Sequence, residues 1–343
     1  MINQITRIQT YIQTYIHTIA CSKKRMYSIN QRLSLCLYML LIIGCNIPQG
    51  THAHVLTLQT PLPLLPLKSY PWLIDQKKVQ TLESNKPRRI QDLPLPSLAK
   101  RRRIDPSQSS LTIPFGTWIR NLPLRPPNTP VYLYNHELKA NQSVHEAVLE
   151  LDTGKRNLQQ CADAVMRIYA EYQYSQKNDQ NLVFRYTSGD RIPFSKWSKG
   201  LRPKVVKETH KGKTRYRVKW LSSKYRGRGY SNFKSYLWRI FTYAGTASLS
   251  RYRKKRPLSQ IQIGDLFLQG GFPGHAVMVM DLADHPTHGP LMLLAQSYMP
   301  AQDMHILKNI NDPLLSPWFK VPQETRLNTP EWTFPPRSLY TFE

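Results

Sequence analysis

Cys161, Val165, Ile168 and Tyr172 recur at the i, i+4, i+7 and i+11 spacing that places side chains on one stripe of an α-helix. Gly154 breaks the chain just before them and Asn157 can cap, so a helix is expected from Asn157 to about Tyr174, with Cys161 facing inward from its first turn. A second helix is expected near Phe233 to Gly245. Elsewhere short apolar runs are parted by glycine, proline and polar residues: Val131 to Tyr134, Ala147 to Asp152, Leu182 to Thr187, Asp265 to Gln269, His275 to Asp281 and Leu291 to Ser297. Runs of this length and punctuation predict strands, antiparallel in the C-terminal part. Before Ser110 no sustained period of buried positions occurs. The chain therefore divides into an export region over 1–53, a proline-rich basic linker over 54–110 and one α+β domain over 111–343.

The N-terminal pattern is of another kind. Lys23, Lys24, Arg25 and Arg32 precede the apolar run Leu33 to Gly44, which is short for a membrane span and suited to a signal-peptide core. Met26 is an alternative start. The run ends at Ile42, Ile43, Gly44, Cys45, a lipoprotein-like box that makes Cys45 the expected lipidation site. Thr51, His52, Ala53 is a competing site of ordinary cleavage. The expected location is the cell envelope, lipid-anchored to the membrane and facing the periplasm. Cys21, Cys36 and Cys45 fall in this region, which leaves Cys161 as the domain's single thiol and allows it no intramolecular disulfide.

A composition of 41% hydrophobic and 10% aromatic residues supports a packed core and excludes disorder throughout. The net charge of +27 selects anionic partners. Much of it lies in residues 196–256, where twenty Lys and Arg face one acid, Glu208, a net of +19. Tyr216, Trp220, Tyr225, Tyr230, Tyr236 and Trp238 are interleaved with them. Such a mixture suits single-stranded nucleic acid, but export argues against it. The expected partners are an anionic envelope polymer or lipid, and a peptide substrate.

A thiol in the first turn of a helix lies in the positive end of the helix dipole, which favours the nucleophilic thiolate. This predicts a low-pKa Cys161. His275 begins a strand on which it shares a face with Val277, Val279 and Asp281, and it is the candidate base. A hairpin turning through Asp284 to Gly289 brings 296–298 opposite His275, so Gln296 is the candidate orienting residue, with Ser297 and Asp281 as alternatives. The Cys161 N–H and the Gln160 or Gln159 side chain are candidate oxyanion donors. Gly270, Gly271 and Gly274 before the histidine suggest close approach of a ligand. His275, His285, His288 and His305 show no metal-ligand spacing, and no cofactor motif is present.

Gly264, Asp265, Leu266, Phe267 followed by Gly274, His275, Ala276, Val277, after a helix-start cysteine, resembles the papain-like NlpC and CHAP hydrolases of bacterial cell walls. The gap from Cys161 to His275 is longer than in those families. A closer resemblance, spanning Phe115 to Phe334, is to the exported bacterial family called domain of unknown function 4846. It is carried by Asn157 to Arg167, Tyr243 to Leu249, Gly270 to Ala276 and Leu294 to Gln302. Asn157 replaces that family's aspartate, and the basic middle is unusual for it. The resemblance implies membership and no activity. Together these readings give a papain-like (NlpC-type) α+β fold whose cysteine-bearing helix packs on an antiparallel sheet. The expected activity is that of a cysteine amidase or peptidase on a cell-envelope substrate such as cell-wall peptide. The alternative is a non-catalytic envelope-binding or scaffold lipoprotein on the same fold.

Overall fold

The structure is a computed structural model that describes residues 64–73, 75–104, 113–210 and 212–342. The export region and Cys45 lie outside the described residues. Six helices are labelled: α1 Gln76–Ser84, α2 Phe115–Arg120, α3 Cys161–Ser175, α4 Phe194–Ser198, α5 Tyr230–Tyr243 and α6 Thr246–Tyr252. Among the described residues, no helix is long and apolar enough to cross a membrane.

The strands are β1 Lys100–Arg101, β2 His145–Val148, β3 Val183–Arg185, β4 Arg191–Pro193, β5 Leu201–His210, β6 Lys213–Ser222, β7 Lys254–Lys255, β8 Leu266–Gln269, β9 His275–His285 and β10 Gly289–Gln296, then β11 His305–Leu307, β12 Phe319–Lys320, β13 Leu327–Asn328, β14 Thr333–Phe334 and β15 Leu339–Thr341. A nine-stranded antiparallel sheet runs in the order β2, β11, β10, β9, β8, β15, β7, with β1 added to β9 and β12 to β10. β3 with β4, β5 with β6, and β13 with β14 form separate two-stranded ribbons.

Residues from 276 to 283 on β9 are all buried because the sheet is covered on both faces. Ala276, Met278, Met280 and Ala283 join the larger core beneath α3, whereas Val277, Val279 and Leu282 join a smaller core closed by Leu327, Phe334 and Leu339. Val277, Val279 and then Leu282 is not a period of two. The register explains it: Leu293 faces Asp281 but Leu294 faces Val279, so a β-bulge at Met280 inserts one residue and switches the faces beyond it.

The linker expectation needs correction. Leu67, Tyr70, Leu73, Ile90 and Leu93 are buried in the larger core, and β1 pairs with β9. Prolines deny this segment a long helix or ladder, but short 3₁₀ turns at Leu67–Ser69 and Ile90–Asp92 let it wrap the domain, so it is part of the fold from residue 64. The expected strand at Val131 to Tyr134 is a loop held by isolated bridges. Residues 201–222, where the apolar pattern predicts no element, form the two ten-residue strands β5 and β6.

Candidate functional site

Helix α3 starts at Cys161, later than Asn157 predicts. Its N-cap is Gln160, whose backbone N–H donates to Asp163 Oδ2 at 3.1 Å. Asn157 Oδ1 instead accepts from the Ala301 N–H at 2.8 Å and the Gln160 amide at 3.0 Å, tying the approach to the helix onto the loop after β10. Two further clamps hold that approach. Ser297 Oγ donates to the Gln159 carbonyl at 3.1 Å, and the buried Arg167 donates to Gln159 Oε1 at 2.6 Å and to Asp152 Oδ2 at 2.7 Å. Gln159 is fully buried and its Nε2 donates to the Asp152 carbonyl at 3.3 Å, which removes it as an oxyanion donor. Gln160 is only partly buried.

These clamps set the Cys161 thiol against its own N–H and those of Ala162 and Ala276, the last belonging to the peptide that links Ala276 to His275. Donors at a helix N-terminus favour a thiolate, but burial dominates and Asp163 adds to it, pushing the thiol up to about 11. Asp163 is itself held toward its neutral acid by burial, and its Oδ1 has no partner among the described residues. The low-pKa thiol expected from helix position is therefore corrected: the dipole acts, but at 6% exposure desolvation outweighs it.

His275 is 1% exposed and packed among Tyr298, Trp332 and Phe334, at ring-centre distances of 4.8, 5.3 and 5.8 Å. Burial lowers its pKa to about 4, against the opposing effect of its hydrogen bond with Gln296. The strand pair brings Gln296 to it as the hairpin predicts, with His275 Nε2 to Gln296 Oε1 at 2.8 Å.

The tautomer follows from the neighbours. Gln296 Nε2 donates to Glu331 Oε2 at 2.6 Å, and Glu331 is ion-paired to Lys139 at 2.6 Å. A carboxylate only accepts, so Oε1 of Gln296 must face His275, whose Nε2 then carries the proton. Nδ1 is left as the basic nitrogen. His305 agrees: its Nδ1–H donates to the Asp303 carbonyl at 2.9 Å, leaving Nε2 to accept from Gln296 Nε2 at 3.5 Å.

No hydrogen bond joins the thiol to the imidazole. Tyr298 packs on His275, and its pKa is raised by burial, then by Glu331 and by Cys161. Phe272 and Met299, 90% and 53% exposed, lie on the loops that enter β9 and leave β10 at this end of the sheet.

The glycine signal proves structural at its nearest position. A Cβ on Gly274 would meet Thr246 Oγ1 at 2.4 Å and the Gln269 and Gly271 carbonyls at 2.7 Å, so any side chain there would displace His275. Asp281 is not an alternative orienting residue, because the bulge turns it to the other face. There Arg120 Nε lies 2.6 Å from Oδ1 and Arg101 Nε 2.7 Å from Oδ2. Ser297 positions the cysteine loop rather than His275. Glu331, Lys139 and Tyr298 were missed by sequence reasoning; Glu331 lies in an irregular segment 35 residues beyond Gln296, where no local pattern marks it.

Comparison with curated proteins and with solved structures returns no match. The model of the family "Domain of unknown function (4846)" matches residues 103–341. That span is more than half the chain and contains Cys161, His275, Gln296 and Glu331, so the protein belongs to this family.

Proposed function

We propose that this protein is a cysteine amidase or peptidase on a papain-like scaffold, acting on a peptide-type cell-envelope substrate such as cell-wall peptide. The observation that carries the reading is the ordered chain Glu331, Gln296, His275, which leaves Nδ1 basic one residue from the peptide N–H that touches the Cys161 thiol. At neutral pH the pair starts uncharged. As the substrate carbonyl displaces water, Nδ1 takes the thiol proton while Sγ bonds to the carbonyl carbon. The Cys161 and Ala162 N–H groups, with Gln160 free to swing from Asn157, hold the oxyanion. The C–N bond then breaks as the imidazolium returns its proton to the leaving amine. Water, deprotonated by His275, hydrolyses the thioester.

A second reading has its own observation. The thiol and imidazole are both buried, both held neutral and not hydrogen-bonded to each other, which suits a packed scaffold that binds envelope material without turnover.

The test is hydrolysis of purified cell-wall peptide by the wild type, Cys161→Ser, His275→Ala and Gln296→Ala, with intact-mass detection of a Cys161 acyl adduct. Turnover with a lower pH limb near His275's depressed pKa, an adduct in the wild type and losses of at least about a hundredfold in the first two variants are expected. Turnover unchanged in Cys161→Ser would overturn the enzyme. Absence of both turnover and adduct, with Cys161→Ser costing only stability, would establish the scaffold.

A further inference from the structure

The β5–β6 ribbon pairs in unbroken register from Leu201 opposite Ser222 to His210 opposite Lys213, about 30 Å of two-stranded sheet at roughly 3.4 Å per residue. Alternation sorts its side chains. Val205, Val218 and Trp220 share one face and pack against the larger core, with Lys196 Nζ 5.1 Å from the Trp220 ring centre. The opposite face carries Lys204, Lys213, Arg215, Arg217 and Lys219, all exposed, against a single acid, Glu208. Lys204 stands directly opposite Lys219. Like charges in that position repel in an isolated ribbon, and the nearest relief is Glu208, 3.7 Å from Lys219.

Two apolar side chains share this face with the cations. Val206 lies between Lys204 and Glu208 and faces Arg217, and Leu221, 48% exposed, lies nearer the base. None of the aromatic residues that the sequence interleaves with the charge is on the basic face of the ribbon: Trp220 and Tyr216 are on the other face, Tyr230, Tyr236 and Trp238 are within α5, and Tyr225, 70% exposed, follows the end of β6. On the basic face itself no ring alternates with the cations, so the row lacks the interleaved stacking platform of a single-strand binder. A row of exposed Lys and Arg around the exposed Leu221 and the half-buried Val206 has the composition of a segment that lies in a lipid interface, cations at the headgroups and apolar groups beneath.

We propose that the basic face of the β5–β6 ribbon docks the protein on an anionic lipid surface. The proposal is independent of the hydrolase reading and of lipidation, since an acyl anchor enters neutral and anionic bilayers alike.

The experiment is cosedimentation of the full-length protein with vesicles of phosphatidylcholine alone or of an equal mixture of phosphatidylcholine and phosphatidylglycerol, at low and high salt. Preferential, salt-sensitive binding to the mixed vesicles is expected. Replacing Lys204, Arg217 and Lys219 together by Gln should lower that partition roughly a hundredfold, at about 1 kcal/mol for each basic residue. Lys204→Arg with Lys219→Arg should retain it, and because all three positions are exposed, unfolding midpoints should be unchanged in both variants. Equal partition into the two vesicle types, partition unchanged by the Gln variant, or tighter binding to a single-stranded oligonucleotide than to the mixed vesicles would overturn the proposal.

Discussion

The two ends of strand β9 each bury a titratable side chain, and they solve the problem in opposite ways. At one end Asp281 is fully buried between Arg120 and Arg101, with its own Leu282 N–H as a further donor at 2.8 Å. The carboxylate is more than compensated there, by two guanidiniums, and their further N–H groups donate to the Leu282 and Leu93 carbonyls. At the other end His275 is buried without a counter-charge, its polar side-chain partner is a neutral amide, and one ring nitrogen stays basic beneath a rim carrying exposed Phe272. A compensated buried charge holds elements together, here β1 and α2 to the sheet. An uncompensated, neutral base among aromatic rings contributes little to that end and keeps a reactive atom available.

The largest effect that distinguishes the ends should come from Asp281→Ala. It leaves Arg120 buried without its partner and should cost about 3–5 kcal/mol of unfolding free energy in urea titrations. A cost under about 1 kcal/mol would mean that the ion cluster is not what secures α2 and β1.

Next is the pH dependence. His275 and His305, lowered by burial from 6.5 to about 4 and about 3, bind fewer protons folded than unfolded. The stability they contribute is therefore fully present above pH 6.5 and lost as pH falls through the window toward 4. Each histidine adds a slope approaching about 1.4 kcal/mol per pH unit there. Asp163 and Glu171, raised by burial, bind more protons folded than unfolded and tilt stability the other way. The test is therefore a difference: urea midpoints of His275→Gln should fall less steeply than those of the wild type as pH drops through that range.

Glu331→Gln has a smaller cost, about 1–3 kcal/mol for an unmatched Lys139 and a weakened amide chain. Its sharper signature is spectroscopic. With Glu331 the ring nitrogen shifts of His275 should report one tautomer, protonated at Nε2. In the variant the new amide can donate as well as accept, so Gln296 is no longer held in one orientation and that preference should weaken. Phe272→Ser should be the smallest, within about 0.5 kcal/mol in stability. If the proposed hydrolase acts there, the same change should raise KM while leaving kcat nearly unaltered.

Some of this is legible in the sequence. The apolar stripe of α3 stands in the sequence because helical period and burial are local, and it placed Cys161 at the helix start within four residues of the expected boundary. The β9–β10 hairpin was legible for a similar reason: its turn residues and run lengths limit the register, and Gln296 reaches His275 as expected. Asp281 was misplaced because a single bulge at Met280 reverses every side chain beyond it, and nothing in a run of apolar residues marks which one is extra. The proline-rich segment was misjudged because proline rules out ladders and long helices, not burial; Tyr70 and Ile90 pack without either. The β5–β6 ribbon was hidden by its charge, since only one of its faces carries the apolar alternation that identifies a strand.

The sequence by itself determined which groups are available and where each sits along its own element: a cysteine at a helix start and a histidine at a strand start. These depend on dihedral preferences and period, which act over a few residues. Tertiary structure alone decided what surrounds them. It raised the thiol and lowered the imidazole by burial, supplied Glu331 from a distant loop to orient Gln296, and gave Asp281 to two arginines. Desolvation and ion pairing depend on every atom packed around a group, and those atoms are brought together only when segments far apart in the chain close one core.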